Sequence, residues 1–534
     1  MKTLEKTYPI DIFGIKRIGI EKWLDNYYMP VGGVEYERIE KDIFHAYLTT
    51  IKEYDEEIIY WIAVSYLKLP RVIADYIVNL LKPSRLEEEG FKYVIGKDGD
   101  KIPMDIACQG FAVTSRHSLI DSSVFNTTFT KRSKNLLGII KCNAKTSGLI
   151  NRRFIKSISS PSFFIGSKNQ KEIVAYCNEK EISPIYLTSE VFASKNDVVK
   201  KSCQVVYREM REFVNDFLDR VNQKYPVVSN IYLESMKKKI DKNFKLSLDF
   251  FYQNIAVLQK IQPKTLLATG LGNKVNRLFC AAWRFSCGEV VGFLHGDSFC
   301  NYYGHYSVIN DGASVVNRFI TSTRGQKNML EATVKDFSLG LKMPQIECIN
   351  HNYYNATFEQ LQKGRRVNKI KKVMLIGNFM VDGYIDISNH YHAFVKLHLD
   401  LTIIKLLRSA GYYVIYKARP DFLSEIEGVF EAYVDEISKV RFEDVYDQAD
   451  CIIFKRSKTT AFGFALFTNR PIVLLNIKGT PWYPRAFELL KKRCNIVEAD
   501  YRDDRVVFDE NKLLDAIETS PGNIEYDILH EFAF

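Results

Sequence analysis

The feature that most constrains the fold lies in the middle of the chain. There an apolar run, a helical stripe and a second apolar run follow one another within roughly thirty residues, the length of a βαβ unit. Thr265–Thr269 reads as a short strand ending in Gly270-Leu271-Gly272. Asn273 to Gly288 reads as one helix, with Leu278, Ala281, Ala282 and Phe285 on a single stripe and Gly288 as its stop. Glu289–Leu294 is a second apolar strand that runs into His295-Gly296-Asp297-Ser298, and a third strand, Asn317–Ser322, follows a polar loop. Strands joined by a crossover helix run parallel. Parallel sheets are buried on both faces, so this segment commits the chain to an α/β architecture with helices on either side.

A second α/β run follows a break. Residues 349–372 are polar and end in KGRRVNKIKK, which reads as a solvated linker or as a basic contact for an anionic surface. Beyond it come a strand at Val373–Gly377, a helix at His398–Ala410 and a strand at Tyr412–Tyr416. Val445–Ala449 reads as a short helix before the strand Cys451–Phe454. A helix at Thr460–Thr468, a strand at Pro471–Leu475 and a helix at Pro484–Arg493 complete the pattern of a Rossmann-like half. The first 260 residues differ. Ile43 to Leu81 and Asn196 to Lys260 carry long helical periodicity, with Pro70 separating two helices. Between them lie short strands at Phe163–Ile165 and Ile185–Leu187 and a helix at Lys171–Glu179. The expected division is a helix-rich region with a small mixed α/β part at 1–260, an α/β part at 261–355 and a second Rossmann-like domain at 373–534.

Totals narrow the function. A chain of 534 residues exceeds what one core serves. The net charge of +10 is modest for that length, which argues against a dedicated nucleic-acid binder and fits a protein that meets phosphates. The ten cysteines form no CxxC pair, so a zinc ribbon is not expected, and those such as Cys280 and Cys451 sit in apolar company as small buried residues. Asp386, His390 and His392 match no metal-site spacing, and no metal or cofactor is expected. The opening MKTLEKTYPIDIFGIKR has no apolar core for a secretory signal, and no window offers the ~18 uninterrupted apolar residues of a spanning helix. A cytoplasmic protein is expected, with any membrane contact peripheral at the inner face.

In parallel sheets, ligands bind beyond the carboxyl ends of the strands. The segment Lys455-Arg456-Ser457-Lys458-Thr459-Thr460 sits between a strand and a helix, where backbone N–H groups, the helix dipole, hydroxyls and cations would meet a phosphate. The same serine and threonines would also serve as an ordinary helix cap. Lys417-Ala418-Arg419-Pro420 ends a neighbouring strand and offers two cations to a diphosphate or a carboxylate. His295 and Asp297, beyond an apolar strand, are the candidate general bases. Gly270-Leu271-Gly272 lacks the third glycine of a dinucleotide fingerprint.

These segments, in this order, carry a resemblance. GFLHGDSF at 292–299 resembles the strand-then-HG segment of GT-B enzymes that build bacterial surface polysaccharides, the capsule and lipopolysaccharide glycosyltransferases, and is distantly similar to teichoic acid glycerophosphotransferases. NRFITSTRGQKNML resembles the strand and helix that follow it there, and KKVMLIGNF the opening strand of the C-terminal domain. ADCIIFKRSKTTAFGFALFTNRPIVLLN is similar to the phosphate-binding segment, while Lys417-Ala418-Arg419-Pro420 stands where the family often has Lys-x-His-Pro. The resemblance covers roughly residues 263–500. It implies a GT-B fold, two Rossmann-like domains facing a cleft, and metal-independent transfer of a sugar from a nucleotide-sugar donor to a surface polysaccharide or lipid-linked glycan. The donor would lie against Lys417, Arg419, Lys455, Ser457, Lys458, Thr459 and Thr460. Rival readings are a polyol-phosphate transferase, a nucleotide-sugar 2-epimerase and a noncatalytic assembly protein.

Overall fold

A computed structural model of the chain describes residues 7–66, 69–94, 162–166, 171–182, 184–187, 203–226, 230–261, 264–271, 274–293, 313–337, 341–349, 358–359, 361–362, 367–377, 393–419, 423–457, 459–522 and 524–533. The first elements are β1 (Thr7–Pro9), α1 (Ile12–Ile18), α2 (Ile20–Asp25), α3 (Gly33–Ile51), α4 (Glu56–Tyr66), α5 (Leu69–Glu88) and β2 (Lys92–Val94). Then come β3 (Ser162–Ile165), α6 (Lys171–Glu179), β4 (Ile185–Leu187), α7 (Cys203–Lys224), α8 (Asn230–Ile261), β5 (Thr265–Ala268), α9 (Lys274–Phe285), β6 (Glu289–Phe293), β7 (Arg318–Thr321), α10 (Arg324–Phe337) and β8 (Gln345–Cys348). The last stretch holds β9 (Lys372–Ile376), α11 (Ala393–Ser409), β10 (Tyr413–Lys417), α12 (Leu423–Ile426), β11 (Glu436–Ser438), β12 (Cys451–Phe454), α13 (Thr460–Phe467), β13 (Ile472–Ile477), α14 (Pro484–Arg493), β14 (Asn495–Arg502), β15 (Arg505–Phe508) and α15 (Glu510–Thr519).

Among the described residues the strands form two large sheets and one small parallel pair, β1 with β2. The first sheet has the order β4-β3-β5-β6-β7-β8 and is parallel throughout. β3 and β4, which the sequence groups with the helix-rich region, extend this sheet beside β5. Its strands alternate between two apolar layers. Leu266, Ala268 and Val290 face one core, and Leu267, Val291 and Phe293 the other. The first of these cores also takes in α3, α4, α5, α7 and α8, with α9 lying between those helices and the strands. Arg277 of α9 is 1% exposed and donates to the carbonyls of Val64 (3.2 Å) and Leu271 (2.9 Å), which ties the helical layer to the sheet. The helix-rich region is therefore one wall of the first sheet's core.

The second sheet has the order β11-β10-β9-β12-β13-β14-β15, parallel except for the terminal β14–β15 hairpin. Val373, Leu375, Val414 and Ile453 face α11, while Met374, Ile376, Ile452 and Leu474 face α13 and α14. The short helix expected at 445–449 is two 3-10 turns, Phe442–Asp444 and Tyr446–Gln448. The α11-side core also takes in the start of the chain: Tyr8, Ile15 and Trp23 are buried there, with the Trp23 ring 5.5 Å from that of Phe394. The chain then leaves for the first core at Gly32 and Gly33. At that crossing the Gly33 N–H donates to Asp504 Oδ1 (2.9 Å), a residue of the β14–β15 turn. Asp503 and Asp504 both have positive φ (47° and 58°), as a two-residue hairpin loop of this hand requires. The other end of the described chain makes a return crossing. Ile528, Leu529 and Phe532 pack in the α13-side core, and the Phe532 carbonyl accepts from Gln326 Nε2 of α10 (2.8 Å). The same Gln326 closes a capping box with Thr323 at the start of α10. No described helix is long and apolar enough to cross a membrane.

A fully buried arginine braces α13. Arg493, the last residue of α14, donates to the carbonyls of Ala465 (3.0 Å), Leu466 (2.9 Å), Thr468 (2.7 Å) and Arg470 (3.2 Å). These carbonyls belong to the last turn of α13 and the residues just after it, and the cation lies at the negative end of the helix dipole. Arg493→Met keeps the apolar stem and removes the donor that these carbonyls share, at a cost of about 3 kcal/mol. A clear fall in the urea unfolding midpoint is expected; an unchanged midpoint would mean that water replaces the guanidinium.

Candidate functional site

In the second sheet β9 is laid down first. The chain lays down β10 and β11 on one side of it, then crosses to lay down β12, β13 and β14 on the other. That is the 3-2-1-4-5-6 order of a doubly wound sheet, and its reversal lies between β9 and β12. At a reversal the connecting helices diverge to opposite faces, which opens a crevice at the carboxyl ends of the two strands. Gly377 sits at this point. Its N–H donates to the Lys417 carbonyl (2.9 Å), and a Cβ there would lie 2.8 Å from the Tyr416 hydroxyl oxygen. Only glycine lets β9 leave the sheet so close to β10.

The sequence-derived candidates divide at this rim. Thr460 is exposed as the first residue of α13. Thr459 is half-buried and is the N-cap, its hydroxyl accepting from the Phe462 N–H (3.0 Å). Thus the capping role allowed for this turn falls to Thr459. Arg419 is half-buried just beyond β10. Ser457 is fully buried beneath them. Lys417 is 4% exposed and donates to the Ala418 carbonyl (2.5 Å); burial, with the Arg419 charge beside it, pushes its ammonium below the usual lysine range. Lys455 turns inward. Its ammonium is paired with the Asp400 carboxylate of α11, and neither side chain is exposed. The expectation that Lys455 presents its charge at the strand end therefore gives way to a buried ion pair. Strand alternation is the reason, since Cys451, Ile453 and Lys455 share the face that α11 covers. Lys458, His295 and Asp297 lie outside the described residues, as do Asp386, His390 and His392.

Asp400 is the residue that the sequence reading passed over. Besides Lys455 it accepts from the Tyr416 hydroxyl (2.9 Å), and it is fully buried. Burial pushes its carboxyl up and the Lys455 ammonium down, and each charge opposes the other's shift. The signal was present: Lys396 and Asp400 stand one turn apart in AFVKLHLDLTIIKLLRS, a helix otherwise apolar on several faces, and both are fully buried.

The first sheet has its own reversal, between β3 and β5. Gly166 follows β3 with φ +117°, and a Cβ there would lie 2.2 Å from Thr269 Oγ1 and 2.6 Å from the Thr269 carbonyl oxygen. The Thr269 N–H donates to the Ile165 carbonyl (3.0 Å), so the two strand ends are drawn together. Gly270, at φ +63°, begins the turn into α9. Its carbonyl accepts from Asn276 Nδ2 (3.3 Å). A glycine directly after the apolar Phe163–Ile165 run was the available sign of this point.

No family model matches the sequence, and no curated protein matches it either. Among solved structures, the chain is similar to a UDP-N-acetylglucosamine 2-epimerase from Rickettsia bellii, with a TM-score of 0.36 and 14% identity over 69% of this chain and 89% of that one. A likeness of that size does not distinguish one activity from another, and the resemblance to surface-polysaccharide transferases has no family match beside it.

Proposed function

We propose that the chain is a GT-B-type enzyme that binds a nucleotide-activated sugar at the carboxyl ends of β9, β10 and β12 and transfers the sugar to a glycan or lipid-linked acceptor held against the first sheet. The observation that carries this reading is the strand-order reversal between β9 and β12. Beside it stand the start of α13, with Thr460 exposed, and Arg419 just beyond β10. A helix N-terminus presents unpaired N–H groups and the positive end of a dipole, and a guanidinium binds phosphate oxygens in bidentate fashion. In the transfer, the bond from the sugar's anomeric carbon to the phosphate oxygen breaks and its electron pair passes to the diphosphate. A bond from the acceptor oxygen to that carbon forms, and the acceptor proton goes to a base. We assign the first charge to Arg419, Thr460 and the α13 amides, with Lys417 behind them, and the proton to His295 or Asp297. Donors fixed in place before charge develops act on the transition state, and losing one typically costs about 3–4 kcal/mol.

Two outcomes test the donor side. In a thermal-shift screen of UDP, CDP, CMP, GDP and their sugars, the matching ligand at 100 times its dissociation constant stabilises by about 2.7 kcal/mol. In calorimetric titration, Arg419→Ala weakens that nucleotide by roughly tenfold or more, the scale of one charge-assisted hydrogen bond, and in a turnover assay Thr460→Val lowers kcat by about 10²–10³-fold. Unchanged affinity and turnover in both variants would defeat the assignment. The rival reading as a nucleotide-sugar 2-epimerase defines the competing result: conversion of a UDP-sugar to its C2 epimer or elimination product with no acceptor present would make the enzyme an epimerase.

The acceptor side has its own test. His295→Ala should lower kcat by roughly 10²-fold, the usual share of a general base, while leaving nucleotide affinity as it was. Normal turnover in that variant moves the proton to Asp297.

A further inference from the structure

We infer that Asp400 is a positioning residue for the nucleotide-binding turn, acting through Lys455 and Tyr416; its bearing on nucleotide rests on the reading above. Asp400 lies in the middle of α11, away from any strand end. Yet its two carboxylate oxygens reach both strands that flank β9. Oδ1 pairs with Lys455, the first residue after β12, and Oδ2 accepts from the Tyr416 hydroxyl of β10 (2.9 Å). The Tyr416 ring is itself fixed, stacked on Phe430 with centroids 4.1 Å apart. Its hydroxyl passes so close to Gly377 that a Cβ there would be 2.8 Å away. One carboxylate thus ties together the ends of β10 and β12, the strands on either side of β9, at the reversal between β9 and β12.

Stability alone does not account for the pair. Two charges taken out of water recover little net free energy, and well-packed apolar residues of similar volume serve a core at least as well. Directional contacts to two different strands do something an apolar residue cannot. They fix where the Lys455 backbone leaves β12, four residues before the Thr459 cap. The turn that presents the α13 amides is then held from below by a rigid polar contact, as a site of pre-aimed donors requires.

The experiment compares wild type, Asp400→Asn and the apolar double variant Asp400→Leu/Lys455→Met. Amide hydrogen exchange is read separately over residues 455–462 and over β13, with nucleotide titration on the same samples. The positioning role predicts about tenfold faster exchange at 455–462 with β13 unchanged, because local opening is measured apart from global unfolding. It also predicts nucleotide affinity at least tenfold weaker with the melting temperature of the double variant preserved. Equal protection at 455–462 in the double variant overturns the inference, as does faster exchange spread evenly over 455–462 and β13, which marks a stability role only. Should the double variant fail to fold, Asp400→Asn is read by the same criteria. If wild type binds no nucleotide, the preceding functional reading falls, while the exchange comparison still decides whether Asp400 positions the turn.

Discussion

A carboxylate and an ammonium removed from water have to neutralise each other at contact distance or not be charged at all. In this chain that requirement falls on Asp400 and Lys455, and the middle of the second sheet is arranged around it. α11 must lie where its carboxylate reaches Lys455, so the helix is registered against β12 as well as against β9 and β10. The same oxygens fix Tyr416, and Tyr416 limits the position after β9 to glycine. Apolar contact alone would let a helix slide along a sheet by a fraction of a turn. A paired charge does not permit that slide. The rim residues Thr459, Thr460 and Arg419 inherit their positions from this buried contact.

A complementary device works at the other end of α13. Arg493 donates to carbonyls of its last turn and C-cap, so a short helix is fastened at its C-terminal end by a cation and capped at its N-terminal end by Thr459. An eight-residue helix is too short to be stable by propensity alone. Here it is apolar on most sides, buried in the α13-side core and held at both ends. Its first amides thereby have a fixed direction, and amides aimed outward with the positive end of the dipole are what a helix terminus offers an anion.

The chain disclosed its parallel strands because strands buried on both faces read as unbroken apolar runs between polar residues, as in Leu266–Ala268 and Cys451–Phe454. It hid the edges. β14 and β15 alternate buried and exposed positions and carry Glu498, Asp500 and Arg502, so NIVEADYR resembles a polar loop. β11 is three residues long and β8 has an exposed first residue, which leaves too little pattern to detect. The candidate site was legible as a set of strand-end positions. Sequence alone could not say which of two neighbouring cations, Lys455 or Arg456, turns inward, because that depends on which face α11 covers. Nor could it join Asp400 to Lys455, fifty-five positions apart and linked only by packing. Gly166 escaped notice because its meaning lies in the approach of Thr269 from another strand.

The packing of Tyr8, Ile15 and Trp23 on the second sheet has a consequence for synthesis on the ribosome. Some contacts of this segment form late: Gly33 waits for Asp504, 471 residues later, and Tyr27 for the same turn, 477 residues later. At about 5–20 residues per second that is a delay of roughly 25–95 s. Tyr8 meets Tyr28 and Phe91 early, whereas Trp23 waits for Phe394, and α3, α4 and α5 find their partners in α7 and α8. The opening segment is therefore joined to the rest of the fold in stages, and the β14–β15 turn is the last of these contacts to become available.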